Sequence, residues 1–300
     1  MSGEIRSILA ALDRDGSQAK QVAAKSVTLA RLTGARLELF LCDAETAFNC
    51  QHQYEPEIAA RAKESCLIES RSYLETLRRE VAAPDVEVSV SVACESPLYE
   101  GIVHAVERSH PDLVIRGVAA AAPLQPNDWE LVCACPAPLL LTRARPWKAR
   151  PLIAAAVDVA PGESEALTVS ILRAAGFLAK AAGGTVEVMH AGRFDAVPGP
   201  ALDARRAVLT KLVRGAGVEG AACHWVAGEP AEALRELAVR RNVDLIVLGA
   251  LTHRKTLAAL VGTLTGRLIE TLDTDFLLVK PAPPEAGRLE SLQARVTPSI

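Results

Sequence analysis

Read for hydrophobic and polar positions, the chain breaks into short apolar runs separated by longer stretches of helical period. The runs at 5–12, 36–42, 86–93, 112–117 and 138–142 are rich in Val, Ile and Leu and hardly alternate. That is the pattern of parallel strands covered on both faces. Amphipathic segments fill the gaps, giving the order β-α-β-α-β-α-β-α-β. Right-handed crossovers then lay helices on both sides of a doubly wound, five-stranded sheet. The ligand site of such a sheet is expected at the carboxyl ends of its strands, where strand order reverses.

The pattern occurs twice. IRSILAALD (5–13) matches RPLIAAAVD (150–158), each an apolar run ending at an aspartate, Asp13 or Asp158. A helix and the strand ARLELFL follow the first, a helix and GGTVEVMH the second. ESPLYEGIVHAVERSHPDLVIRG (95–117) parallels GEPAEALRELAVRRNVDLIVLG (228–249), with Asp112/Gly117 and Asp244/Gly249 at one spacing. CPAPLLLTR (135–143) parallels DTDFLLVKP (273–281). The order holds throughout, so a tandem duplication is expected. The fold class it predicts is α/β, with two doubly wound five-stranded parallel-sheet domains of Rossmann-like or flavodoxin-like type, over residues 1–145 and 150–281. RARPWKARP (143–151), with its two prolines and four positive charges, reads as the linker. Residues 282–300, with no apolar period, read as a disordered tail. The strands at 138–142 and 275–280 are apolar on both faces, and pairing between them would remove an aggregation hazard.

Composition narrows the function classes. At 300 residues, half of them hydrophobic and 4% aromatic, the chain has enough apolar surface for two aliphatic cores. A net charge of −3 and a pI near 6.1 supply no basic excess for a nucleic-acid surface. No apolar run reaches the length of a membrane span, and the opening MSGEIRSILAALDRD reads as a strand rather than a signal peptide. Seven cysteines without a disulfide spacing predict a reducing compartment.

The chemistry centres on VDLIVLGALTHRKTLAALVGTLTG (243–266). Gly249 ends a strand where a backbone without Cβ can approach a phosphate. Gly262, Thr263, Leu264 and Thr265 open a helix whose unpaired N–H groups face an anion, and the two threonine hydroxyls add donors. Asp158 ends the first strand of the same half, placed to accept hydrogen bonds from a ribose or a metal-bound water. A glycine after a strand and a Gly-Thr helix start also occur in doubly wound folds that bind nothing.

The duplicated strand-end aspartate, the Gly249…Gly262-Thr263-Leu264-Thr265 loop, the closing strand DFLLVKP and the segment NDWELVCACPAPLLLTRARPW (127–147) together resemble the universal stress protein family, in its tandem two-domain type. The resemblance covers about residues 4–281. It implies a cytoplasmic stress-response protein, dimers built partly through the last strand, and ATP with magnesium in some members but not others. Nucleotide-holding members carry glycine, two residues, glycine, nine residues, glycine, then Ser or Thr. Here Gly249, Gly262 and Thr263 fit, but Thr252 stands at the second glycine. If that position needs positive φ, a β-branched residue is strained by about 1–2 kcal/mol. By the same resemblance Val157 and Met189 would border an adenine.

The first half reads GVAAAAPLQPNDWELVCACPAP after its fourth strand, with no glycine between Gly117 and Pro138 and hence no phosphate cradle. Asn127 with Glu130 looks like a capping-box helix start, and Trp129 is expected to pack over the vacated pocket. Cys133 and Cys135 read as buried thiols, and Cys50-Gln-His52, in an expected loop, as solvent-exposed rather than half a zinc site. Glu95 and Glu229 precede helix-starting prolines and read as helix-dipole partners. No catalytic constellation or metal site is defensible. The expected function is a cytoplasmic stress-response protein acting through binding, with adenine-nucleotide sensing in its second half. The expected partners are a second copy, or the other half through the last strands, and a regulatory protein, with no nucleic acid and no membrane. The alternatives are a weak ATPase or adenylate-transferring enzyme on the same fold, and a structural interaction protein with both sites empty.

Overall fold

The computed structural model describes residues 4–14, 16–120, 122–143, 145–194, 197–250 and 264–280. The first half runs β1 (Ser7–Leu12), α1 (Gly16–Thr33), β2 (Arg36–Cys42), α2 (Ala44–Gln51), α3 (Pro56–Val81), β3 (Val88–Ala93), α4 (Leu98–Ser109), β4 (Leu113–Gly117), α5 (Pro126–Ala134) and β5 (Leu139–Thr142). The second runs β6 (Leu152–Ala156), α6 (Glu165–Ala181), β7 (Thr185–Gly192), α7 (Gly199–Gly215), β8 (Ala222–Ala227), α8 (Pro230–Arg241), β9 (Leu245–Gly249), α9 (Leu264–Thr271) and β10 (Asp275–Val279). All ten strands form one sheet, in the order β3-β2-β1-β4-β5-β10-β9-β6-β7-β8. Each half contributes a doubly wound set of five parallel strands. The halves meet where β10 pairs antiparallel with β5, Phe276 opposite Leu141 and Leu278 opposite Leu139.

Strand alternation sorts the core into two layers. Ile8, Ala10 and Leu12 face the layer of α1, α3, α6 and α7, while Leu9 and Ala11 face that of α4, α5, α8 and α9. Both layers run through both halves, so the sheet is covered on each face, as its unalternating apolar strands require. The acids shared by the two repeats have one job. Asp112 accepts from the N–H groups of Arg6 and Ser7, and Asp244 from those of Leu152 and Lys148. Each pins the start of its half's first strand to the start of its fourth.

The segment read as a linker is more than a connector. Arg143 is 1% exposed and donates to the carbonyls of Ile269 (2.5 Å), Leu272 (3.4 Å), Thr274 (3.4 Å) and Ala119. It therefore caps the carboxyl end of α9 from the other half. Lys280 reciprocates, donating to the carbonyls of Cys133 and Cys135 at the end of α5. Asp275 gathers the Thr142 hydroxyl, the Arg143 N–H, the Trp147 indole N–H and the Lys25 ammonium. Burial pushes its carboxyl up and the Lys25 ammonium down, since the seam disfavours both charges.

Two local expectations are corrected. Helix α5 begins at Pro126 after Gln125, with no side-chain cap; proline's fixed φ starts the helix one residue before Asn127, so no capping box forms. Cys50 lies in helix α2 rather than in a loop, because Asp43 caps that helix by accepting from Thr46 N at 2.8 Å. The tail at 282–300 lies outside the described residues.

Candidate functional site

In the second half β6 lies between β9 and β7, so its end is the point where strand order reverses. Val157 continues the pairing, its N–H donating to the Met189 carbonyl at 3.0 Å, and both side chains are buried. Asp158 follows with its side chain 55% exposed. Its Oδ1 accepts from Ala160 N at 2.8 Å, which folds the next residues into a turn and leaves the carboxylate facing outward. Beside it opens a cavity of ≈ 350 Å³, lined by the loop from Asp158 to Glu163, by Thr168 of α6, and by Arg205 and Val208 of α7. Gly249 ends β9 alongside. A Cβ on it would stand 2.7 Å from Leu167 Cδ2 of α6, so its bareness serves helix packing at least as directly as any ligand. Gly117 has the same relation to Val22 of α1, at 2.5 Å. Helix α9 starts at Leu264, which is exposed, and Thr265, which is buried. Thr252, Gly262 and Thr263 lie outside the described residues.

Sequence reasoning missed His190, a lone histidine in an apolar strand that carries no signal by itself. It is 2% exposed, with Nδ1 3.0 Å from the Val157 carbonyl and 3.9 Å from Asp158 Oδ1. A carbonyl only accepts, so Nδ1 carries a proton, and Nε2 is buried with no hydrogen-bond partner among the described residues. Phe194 and Trp225 pack against the ring, at 5.3 and 4.7 Å between centroids. His190 thereby fixes the backbone immediately before Asp158.

The first half is built differently at the same place. Arg116, one residue before Gly117, is 5% exposed. Its Nη1 donates to Asp13 at 2.8 Å and its Nε to Asp128 at 2.9 Å. Burial alone would lower its pKa, but the Asp128 and Asp13 carboxylates outweigh burial and hold the guanidinium above its ordinary value. The strand-end aspartate here is therefore engaged by an internal cation. The second half has Leu248 at the matching position, so comparing VIRG with IVLG is the signal that could have found Arg116. Trp129 is 4% exposed, packed in the core beside this network.

The remaining candidates are structural. Burial pushes the Cys133 and Cys135 thiols up, and those of Cys42 and Cys94 to about 11 and about 12, so none is an activated thiolate. Cys50 Sγ meets the Ala59 carbonyl and His52 Nδ1 the Phe48 carbonyl. Among the described residues no group of three or more His, Cys, Asp or Glu side chains is placed to hold a metal ion. A magnesium ion here would thus have Asp158 and a ligand's own phosphates as its holders. Glu229 caps α8 by accepting from Glu232 N, as a dipole partner should. Glu95 instead pairs with His104 at 2.6 Å, because Pro97 takes the cap position of α4. No helix among the described residues is long and apolar enough to cross a membrane.

An α/β sheet of this order has known relatives. Residues 153–280 match the model of the universal stress protein family. Over most of its length it is similar to universal stress protein E of Escherichia coli K12, with 22% identity over 284 residues, 86% of this chain and 88% of that one. A universal stress protein E homolog from Haemophilus influenzae is 26% identical over 228 residues, 67% of this chain and 72% of its own. Among solved structures, a functionally unknown protein from Pseudomonas aeruginosa PAO1 superposes with TM-score 0.67 at 23% identity, over 97% of this chain and 98% of that one. A universal stress protein from Archaeoglobus fulgidus gives TM-score 0.67 at 14% identity, over 93% and 97%. These two structures establish the fold.

Proposed function

We propose that the chain is a cytoplasmic, tandem universal stress protein that binds one adenine nucleotide, ATP with magnesium, in its second half, and acts through partner contacts rather than turnover. The observation that carries this reading is the contrast between the two strand-end aspartates. Asp13 is held by Arg116, whereas Asp158 faces outward at the mouth of a cavity, its carboxylate hydrogen-bonded to Ala160 N of its own turn and 3.9 Å from the His190 ring nitrogen. A ribose or a hydrated magnesium ion can reach Asp158, and the phosphates would extend toward Gly249 and the start of α9. There the amino-terminal N–H groups favour an anion. The adenine would lie against Val157 and Met189. Calorimetric titration of the full chain with Mg·ATP tests this. Wild type should bind, and both Asp158→Ala and Gly262→Val should weaken binding at least about tenfold, a loss of roughly 1.4 kcal/mol. Absence of binding in wild type would overturn the reading, and steady phosphate release lost in Asp158→Ala would make the protein an enzyme instead.

A further inference from the structure

The two halves leave a space between them on the face of α1 and α6. A cavity of ≈ 610 Å³ lies at the seam, within the size range of small-molecule sites. One wall is α1, with Ala24, Leu29 and the partly exposed Leu32; Ile115 and Leu140 of the sheet and the half-buried Trp147 add apolar surface. Ala182, just past α6, closes it from the second half. It is separate from the Asp158 cavity and shares no lining residue with it.

The polar groups along this lining determine what could enter. The Lys25 ammonium has three acceptors for its three N–H groups: Asp275 at 2.5 Å, the Arg145 carbonyl at 2.8 Å and the Arg143 carbonyl at 3.3 Å. The Trp147 indole N–H is satisfied by Asp275 at 2.7 Å. The Lys25 and Trp147 donors therefore call for no polar ligand atom. Lys148 differs: it meets Asp244 at 3.0 Å and the Asn242 carbonyl, on a side chain 41% exposed, which leaves one ammonium N–H turned to solvent. The charged residues of the lining are these two lysines, and no acid is among them. A largely apolar chamber whose Lys25 and Trp147 donors are satisfied, with a cation at its rim, selects a particular ligand.

We propose that this seam cavity binds an amphipathic carboxylate, its apolar body against Leu29, Leu32, Leu140 and the Trp147 ring and its carboxylate toward Lys148. The site is independent of any nucleotide in the second half. Because it is walled by both halves, its ligand would brace the seam.

Decanoate is the probe. Titrated into the full chain, followed by calorimetry and by the Trp147 fluorescence change, it should show one saturable site. Filling the cavity by Ala24→Phe, at an exposed position of α1, should weaken binding at least about tenfold. Ala182→Leu, from the opposite wall, should do the same. Both variants should keep the wild-type unfolding midpoint. Decanol, which lacks the charge, should bind several-fold more weakly than decanoate, and Lys148→Met should remove that preference. No saturable decanoate binding would overturn the proposal, as would binding that survives both filled variants. Equal affinity for decanol would overturn the assignment of an anionic ligand.

Discussion

Replacing Arg116 by leucine, the residue at the matching position of the second half, isolates what holds the first half's strand ends together. The substitution removes the bonds to Asp13 and Asp128. Asp13 is 42% exposed and can be resolvated, so it contributes little; Asp128 is 8% exposed and would be left as a buried, unpaired carboxylate. Removing one partner of a buried pair costs about 3–5 kcal/mol. Burial of the leucine returns roughly 1–2 kcal/mol, so a net loss of about 1–4 kcal/mol is expected. Urea unfolding at pH 7 measures the loss, with Arg116→Leu/Asp128→Leu as control, expected within about 1 kcal/mol of wild type because an apolar pair can replace a buried ionic one. A single variant within about 0.5 kcal/mol of wild type would refute this reasoning.

The seam, the far edge and the nucleotide loop give further tests. Arg143→Met keeps the aliphatic stem but strands the carbonyls of Ile269, Leu272, Thr274 and Ala119; it should cost about 3 kcal/mol in urea unfolding and speed hydrogen exchange in the last turn of α9. Glu187 is held below the usual carboxylate range, chiefly by its hydrogen bonds from Arg241 and against the effect of burial. Its stabilisation is present above the unfolded carboxylate pKa and lost as pH falls through the folded one. Glu187→Gln should therefore cost about 1–2 kcal/mol at pH 7 and progressively less as pH falls below the usual carboxylate range, by unfolding over a pH series. Thr252→Gly should tighten ATP binding by at most about 1 kcal/mol, a several-fold change by calorimetry, because a more mobile free loop opposes the relief of strain.

Much of the fold was legible because it is local and repeated. The apolar runs gave the strands to within a residue or two, and the spacing of Asp112 and Asp244 marked two residues that prove to pin equivalent strands. Helix α2 was not legible: AETAFNCQ has a weak period, and its start depends on an Asp43 cap. The seam was hidden for a different reason. Lys25 and Asp275 lie far apart in the chain, and no periodicity within either half says that one will neutralise the other. At the candidate site, Asp158 and Gly249 were visible as strand ends, but the second use of Gly249, making room for Leu167, needs three dimensions. Arg116 was readable only as a departure of one repeat from the other. His190 was not readable at all, since its meaning depends on the Val157 carbonyl reached across the neighbouring strand.

The central claim is that the two halves are unequal, one strand-end aspartate paired with the internal cation Arg116 and the other left to receive a nucleotide. Native mass spectrometry of the full chain in saturating Mg·ATP counts the bound molecules directly. We predict one ATP per chain, lost in Asp158→Ala and retained in Asp13→Ala. Two per chain, or one that Asp13→Ala removes and Asp158→Ala leaves in place, would contradict the account.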